Sequence, residues 1–116
     1  MRYKASHRHA DMTARKLRPV AAMIRGKVAD DALQMLRFMP NRSARLIEQV
    51  LKSALGNAED RGAPDIEELI VDESRIDGAS MMKRHRPRAR GTAYPIKKRY
   101  AHIRITLWDG GADEEN

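Results

Sequence analysis

Cysteine is absent from this chain of 116 residues, which excludes a disulfide framework and any thiolate metal site. Aromatic side chains make up only 4%, too few for a module that holds single strands mainly by stacking bases. No apolar run approaches the ~20 residues of a membrane-spanning helix, so no membrane partner is expected. The charged start, Met1 to Arg18, contains no secretory h-region. It is Arg-rich and acid-poor, as an organellar transit peptide is, yet the same residues read well as part of a fold. A Gly-rich phosphate loop, a nucleophile elbow and a paired-carboxylate constellation are also missing. Neither a cofactor nor an enzymatic activity is expected.

What the chain does have is positive charge in one place. Lys and Arg total 23 against 16 Asp and Glu, a formal +7, the balance of a polyanion-binding protein. Eight of those bases lie between residues 83 and 99 with no acid among them: Lys83, Arg84, Arg86, Arg88, Arg90, Lys97, Lys98 and Arg99. Subtracting the eight from 23 leaves 15 bases against 16 acids elsewhere. The excess therefore belongs to one segment and is not a diffuse solubility device.

The length suits one domain, residues 1–108, followed by an acidic tail, 109–116, read as disordered. Leu17, Val20, Ala21 and Ile24 recur at helical spacing after Thr13, a residue suited to capping, and Gly26 supplies a stop. Pro19 inside this run predicts a kink or a later start. A second helix starts at Asp30-Asp31 and stops at Pro40, with Ala32, Leu33, Met35, Leu36 and Met39 on its apolar side. A third, capped by Asn41 or Ser43, runs to about Asp60 with Ala44, Ile47, Val50, Leu51, Ala54, Leu55 and Ala58 as its face, and Gly62 and Pro64 terminate it. The methionines read as core filler and Trp108 as closing the edge of the body.

Beyond Pro64 the period changes to that of strands. Leu69, Ile70 and Val71 form a β-branched run, and Ile103, Ile105 and Leu107 alternate with His102, Arg104 and Thr106. Folding these regions together as one long hairpin with its tip near Arg88–Arg90 and its protruding part at about 81–99 pairs Asp72 with Ile105, Glu73 with Arg104 and Met81 with Ile96. Gly78 then serves as a bulge or bend, whereas a turn at Asp77-Gly78 is the competing arrangement. The outer part of the long hairpin extends roughly 25 Å at about 3.3 Å per residue. Its few apolar side chains, chiefly Tyr94 and Ile96, cannot stabilise it alone, so a bound polyanion is expected to order it. The expected fold class is α+β, with three helices packed on a small antiparallel sheet from which the basic hairpin protrudes.

Within the basic stretch, Pro87, Ala89 and Gly91 alternate with arginines, leaving room for a close polymer approach and phosphate contact from both faces. Five of the eight bases are Arg, whose planar fork grips phosphates bidentately. Arg2, Lys4, Arg8, Arg15, Lys16 and Arg18 form a second basic cluster, in which Arg8, His9, Arg15, Lys16 and Arg18 are the candidate contacts, while Arg25 and Lys27 also suit a helix C-terminus. His7 and His9 would share one strand face, but with only Asp11 nearby they are read as phosphate or sugar contacts, not metal ligands. The acids of the 65–77 band lie apart from the bases, so a nuclease lacks its catalytic set. The charge pattern thus fits an RNA-binding structural protein or a free-standing RNA chaperone or nucleoid-type protein.

Several segments resemble one family. Lys83, Arg88-Ala89 and Gly91, followed ten residues beyond Thr92 by His102-Ile103-Arg104-Ile105-Thr106-Leu107, resemble the signature of the universal L twenty-two family of large-subunit ribosomal proteins. The segments KASHRHADMTARKLR, IRGKVADDAL, KSALGNAED and VDE are similar to that family too. Thr92 and Pro19 depart from its pattern. The resemblance implies a structural protein of the cytoplasmic ribosome that contacts several domains of large-subunit rRNA and neighbouring ribosomal proteins, with no homo-oligomer. It further implies that the hairpin lines the nascent-peptide exit tunnel, with Arg86, Pro87, Arg88, Arg90 and Gly91 at the tip facing the nascent polypeptide. Lys83, Arg84, Arg86, Arg88, Arg90, Lys97, Lys98 and Arg99 would bind rRNA along the hairpin, and Arg8, His9, Arg15, Lys16 and Arg18 from the body.

Overall fold

In the computed structural model the described residues are 1–79, 82–87 and 93–111, with the backbone alone taken for Glu67, 82–87 and 93–98. Strand β1 (Arg2–Ala10) is followed by helices α1 (Ala14–Ile24), α2 (Ala29–Phe38) and α3 (Arg42–Asp60). Strands β2 (Ile70–Gly78), β3 (Met82–Pro87), β4 (Ala93–Lys98) and β5 (Ala101–Trp108) complete the chain. β5 is the centre of a three-stranded antiparallel sheet in the order β1-β5-β2, and β3 and β4 form a separate two-stranded ribbon. The α+β class stands, with one strand that periodicity alone did not announce. The KASHRHA stretch is polar, yet Tyr3 and Ala10 bury one face of β1 against the core.

The helices form where the apolar stripes are. Leu17, Val20, Ala21 and Ile24 of α1 are buried, as are Ile47, Val50, Leu51, Ala54 and Ala58 of α3. Pro19 neither delays nor divides α1. The Thr13 carbonyl accepts from Lys16 and Leu17 N–H at 3.1 and 3.3 Å, so the first turn is already closed. The expected hydroxyl cap is not made, and Asn41 makes none at α3 either. Gly26 stops α1 with φ at +76°, a conformation open to glycine. Its N–H then donates to Val71 O at 2.8 Å, stitching the helix end to β2.

The tight turn from α2 to α3 is held by charge. Glu48, 8% exposed, lies 3.4 Å from Arg45, 3.7 Å from Arg37 and 3.7 Å from Lys52. Arg45 also donates to the carbonyls of Leu36 and Met39 at the C-terminal end of α2, where the Leu36 carbonyl also accepts from Met39 N–H at 3.3 Å. Met23 departs from the reading as core filler: it is 45% exposed. Trp108 closes no edge; it ends the central strand, its indole N–H donating to Gly111 O at 2.9 Å and its ring 5.5 Å beneath the Arg2 guanidinium. Asp109 accepts from the Met1 ammonium at 2.9 Å and from Gly111 N–H at 2.8 Å. That pairing holds its carboxyl below the ordinary carboxylate range. Residues 112–116 lie outside the described residues.

The strand register corrects the expected one. Ile70 and Val71 pair with Trp108 and Leu107, a bulge follows, and Glu73, Ser74 and Ile76 then face Thr106, Ile105 and Ile103. The expected register would have placed Asp72 opposite Ile105, on the face that packs against the helices. Without the bulge, Glu73 would take that place and Arg75 would face Ile103. One extra residue at Asp72 puts Ser74 and Ile76 inside instead, avoiding the large cost of burying an unpaired charge. Arg75 therefore faces Arg104, and His102 faces Asp77. Gly78 is no bulge: it pairs with Ala101 and ends β2.

Gly56 is an unforced cost. It sits inside α3, and a Cβ built on it would meet nothing within 4 Å. Gly56→Ala is expected to raise stability by about 0.5–1 kcal/mol through helix propensity and the unfolded chain. An unchanged or lowered denaturant midpoint would contradict this.

Candidate nucleic-acid interface

In the ribbon, Lys83 pairs with Lys97, Arg84 with Ile96, Arg86 with Tyr94 and Pro87 with Ala93. The expected pairing of Met81 with Ile96 gives way to Arg84 with Ile96. Lys98 pairs with Met82, and Arg99 is exposed just beyond β4. Alternate register positions thus carry bases in both sets: Arg84, Arg86 and Lys98 in one, Lys83 and Lys97 in the other. Placing Lys83 directly opposite Lys97 is unfavourable for a free ribbon. A polyanion removes that penalty. The tip residues Arg88, Arg90 and Gly91 lie outside the described residues, as does Met81.

On the body, Arg15, Lys16 and Arg18 are exposed on α1, away from its buried stripe. Arg25 has a structural role instead, donating from Nε to Ser74 O at 2.9 Å. Arg8 and His9 stand at a second bulge, where β1 slips against β5 between His7 and Ala10. His9 takes φ +58° there, a left-handed conformation uncommon for residues other than glycine. Its N–H donates to His102 Nδ1 at 3.1 Å, and the two rings meet edge to face at 4.8 Å. The bulge therefore breaks the expected sharing of one face by His7 and His9. His7 pairs with Ile103 on the inner side, while His9 turns to His102. Among the described residues no group of three or more His, Cys, Asp or Glu is placed to hold a metal.

Beside His7 and Arg8, already candidates from the sequence, the fold gathers neutral residues that sequence reasoning left out. Ser6, His7 and Arg8 of β1 meet Gln49, Val50 and Ser53 of α3 along a groove of about 280 Å³. The two halves are some forty residues apart in sequence, and neutral serines and glutamines carry no compositional signal. Gln49 and Ser53 are one helical turn apart, which alone hinted that they share a face. On the sheet face away from the helices, exposed Lys4 and Arg104 add charge, and Arg75 there is bridged to Asp77 at 3.0 Å. Lys4 belongs to the basic cluster at the start of the chain and Arg104 to the polar side of the alternating strand, so both were legible in the sequence.

With this geometry in hand, comparison with known proteins is informative. The family model described as Ribosomal protein L22p/L17e matches residues 5–108. The large ribosomal subunit protein uL22 of Rhodopirellula baltica is 48% identical over 113 residues, 90% of this chain and 92% of the relative. The protein of that name from Geobacter sulfurreducens is 45% identical over 100 residues, 86% of this chain and 90% of its own. The one from Ligilactobacillus salivarius is 44% identical over 104 residues, 90% of each.

Proposed function

The chain belongs to the ribosomal protein L22p/L17e family, and from that premise we propose that it binds large-subunit rRNA across several domains, assists assembly, and lines the nascent-peptide exit tunnel with its hairpin tip. Membership makes it a protein of the large ribosomal subunit, a structural part of the cytoplasmic translation machinery and not an enzyme. Its partners are rRNA and other ribosomal proteins; the finer assignments are ours.

One observation carries the reading: the acid-free run emerges from the body as a two-stranded ribbon that pairs within itself and not with the body sheet. Five of its eight bases sit on the paired arms. A ribbon of that charge, with little apolar surface to support it, gains most from threading between phosphates. In this reading Lys83, Arg84, Arg86, Arg88, Arg90, Lys97, Lys98 and Arg99 hold rRNA along the hairpin. Arg86, Pro87, Arg88, Arg90 and Gly91 face the tunnel and the nascent polypeptide. Arg8, His9, Arg15, Lys16 and Arg18 anchor the body. Affinity comes from backbone neutralisation, and specificity from the one rRNA shape that lets body and ribbon engage together.

Tagged protein from lysate should sediment with large subunits through a gradient at physiological salt. Recovery of the protein free at the top of the gradient would refute the proposal.

A further inference from the structure

Five of the eleven arginines in residues 1–79 and 101–108 have an ion-pair partner: Arg2 pairs with Asp72, Arg42 with Asp11, Arg37 and Arg45 with Glu48, and Arg75 with Asp77. Arg8 makes no ion pair with any described residue, and it stands over the groove between β1 and α3. The groove holds no acid. Its other rim residues, Ser6, Gln49 and Ser53, are exposed, and their side chains make no hydrogen bond to any described residue. Val50, 3% exposed, forms an apolar part of the lining beside half-buried His7.

The chemistry of this lining is specific. Bare phosphate is best met by cations, of which there is one beside three neutral groups. A hydroxyl and a side-chain amide each donate and accept, and so does a ribose 2′-hydroxyl. The volume, about 280 Å³, falls below the roughly 300–1,000 Å³ of pockets that enclose small molecules. An open groove of this size suits a polymer lying across it better than a metabolite held within it. Folded RNA displays its 2′-hydroxyls along a wide, shallow minor groove, where such a rim can reach them.

We propose that this groove seats a sugar–phosphate stretch of RNA, Arg8 taking the phosphate and Gln49 and Ser53 hydrogen-bonding the ribose 2′-hydroxyl. The inference rests on the rRNA-binding reading above and adds to it a device that distinguishes RNA from DNA. It also divides the labour at the site. The cation sets the salt dependence, and the neutral pair sets the sugar preference.

The test uses the full chain and large-subunit rRNA transcripts carrying sparse 2′-deoxynucleotides. Bound and unbound pools are compared for the wild type, the double variant Q49A/S53A, and Arg8→Gln. Both alanine replacements are at exposed helix positions where alanine favours the fold. Wild-type protein should reject transcripts that lack the 2′-hydroxyl at one or a few positions. Q49A/S53A should lose that interference and bind unmodified transcript about tenfold more weakly, as two ordinary hydrogen bonds require, at unchanged salt slope. Arg8→Gln should keep the interference and lower the slope by about 0.7–0.9. Identical interference patterns for wild type and Q49A/S53A would overturn the groove assignment while leaving rRNA binding intact. Failure of the wild type to bind any transcript would overturn the rRNA-binding reading and the groove with it.

Discussion

Replacing Lys83, Arg84, Arg86 and Arg88 by glutamine is expected to flatten the salt dependence of rRNA binding by about three units of log–log slope, at about 0.7–0.9 for each phosphate no longer neutralised. At low salt that corresponds to a loss of affinity of about two to three orders of magnitude. Thermal unfolding of the body should not move. β3 and β4 pair with each other, in a sheet distinct from the one that packs against the helices. The charge removed is half of the eight bases in the acid-free run, so the excess that marks the chain as polyanion-binding is cut without touching the core. A slope that stays at its wild-type value would remove the ribbon from the binding surface and leave the body cations to account for affinity. A melting temperature lowered by several degrees would show instead that the ribbon supports the body.

How much of this was legible in the sequence depends on what each feature is made of. The helices were, because their stripes are runs of Leu, Ile, Val and Ala at helical spacing. β5 was legible because Ile103, Ile105 and Leu107 alternate without interruption. β1 was not announced: its inner positions are Tyr3, Ala5 and His7, too polar a set to signal a strand, and only pairing with β5 reveals it. Register failed for a different reason. A bulge is one residue that periodicity counts and pairing skips, and bulges interrupt both edge strands, at Asp72 in β2 and beside His9 in β1. The expected count, taken from a tip near Arg88–Arg90, falls short of the observed register by three residues in the ribbon, two at Glu73–Gly78 and one at Ile70–Val71, so the first bulge accounts for one of those steps. Carrying alternation through the second put His9 on the face of His7.

The candidate site divides in the same way. A concentration of like charge along the chain needs no fold to be seen, so the ribbon was legible from composition. The groove beside Arg8 is a meeting of two distant segments with neutral side chains, and nothing in the sequence of either announces the other. Arg25, read as a cation suited to the end of the first helix, spends its guanidinium on Ser74 O. Which arginines remain free for an external anion is a question of pairing, and pairing is a tertiary property.

Ile105→Ala should be the most damaging single change in the body. Ile105 is fully buried at the middle of the central strand. Its cross-strand neighbours are Ala5 on one side and Ser74 on the other. Both are small, so neither can grow into the space that the sec-butyl group leaves, and the backbone there is fixed by pairing on both edges. Ser74 would in addition line the void with a buried hydroxyl that already lacks a hydrogen-bond partner among the described residues. A cavity that cannot collapse belongs in the upper part of the usual range, about 2–5 kcal/mol for Ile→Ala. Against a typical total of about 5–15 kcal/mol, and at roughly 4 °C per kcal/mol for a domain of this size, melting should fall by about 10–20 °C. Ile105→Val, which removes one methylene, should cost only about 0.5–1.5 kcal/mol. A fall below about 5 °C for the alanine variant would mean that the helix layer relaxes onto β5 more readily than small Ala5 and Ser74 imply. At temperatures where the variant stays folded its salt slope should equal that of wild type, because the charges of the ribbon are untouched. The ribbon variant and the core variant should therefore fail in opposite assays. If instead Ile105→Ala lowered the slope as far as removal of four ribbon bases does, the body would be setting how the ribbon meets RNA, and the two parts would be coupled.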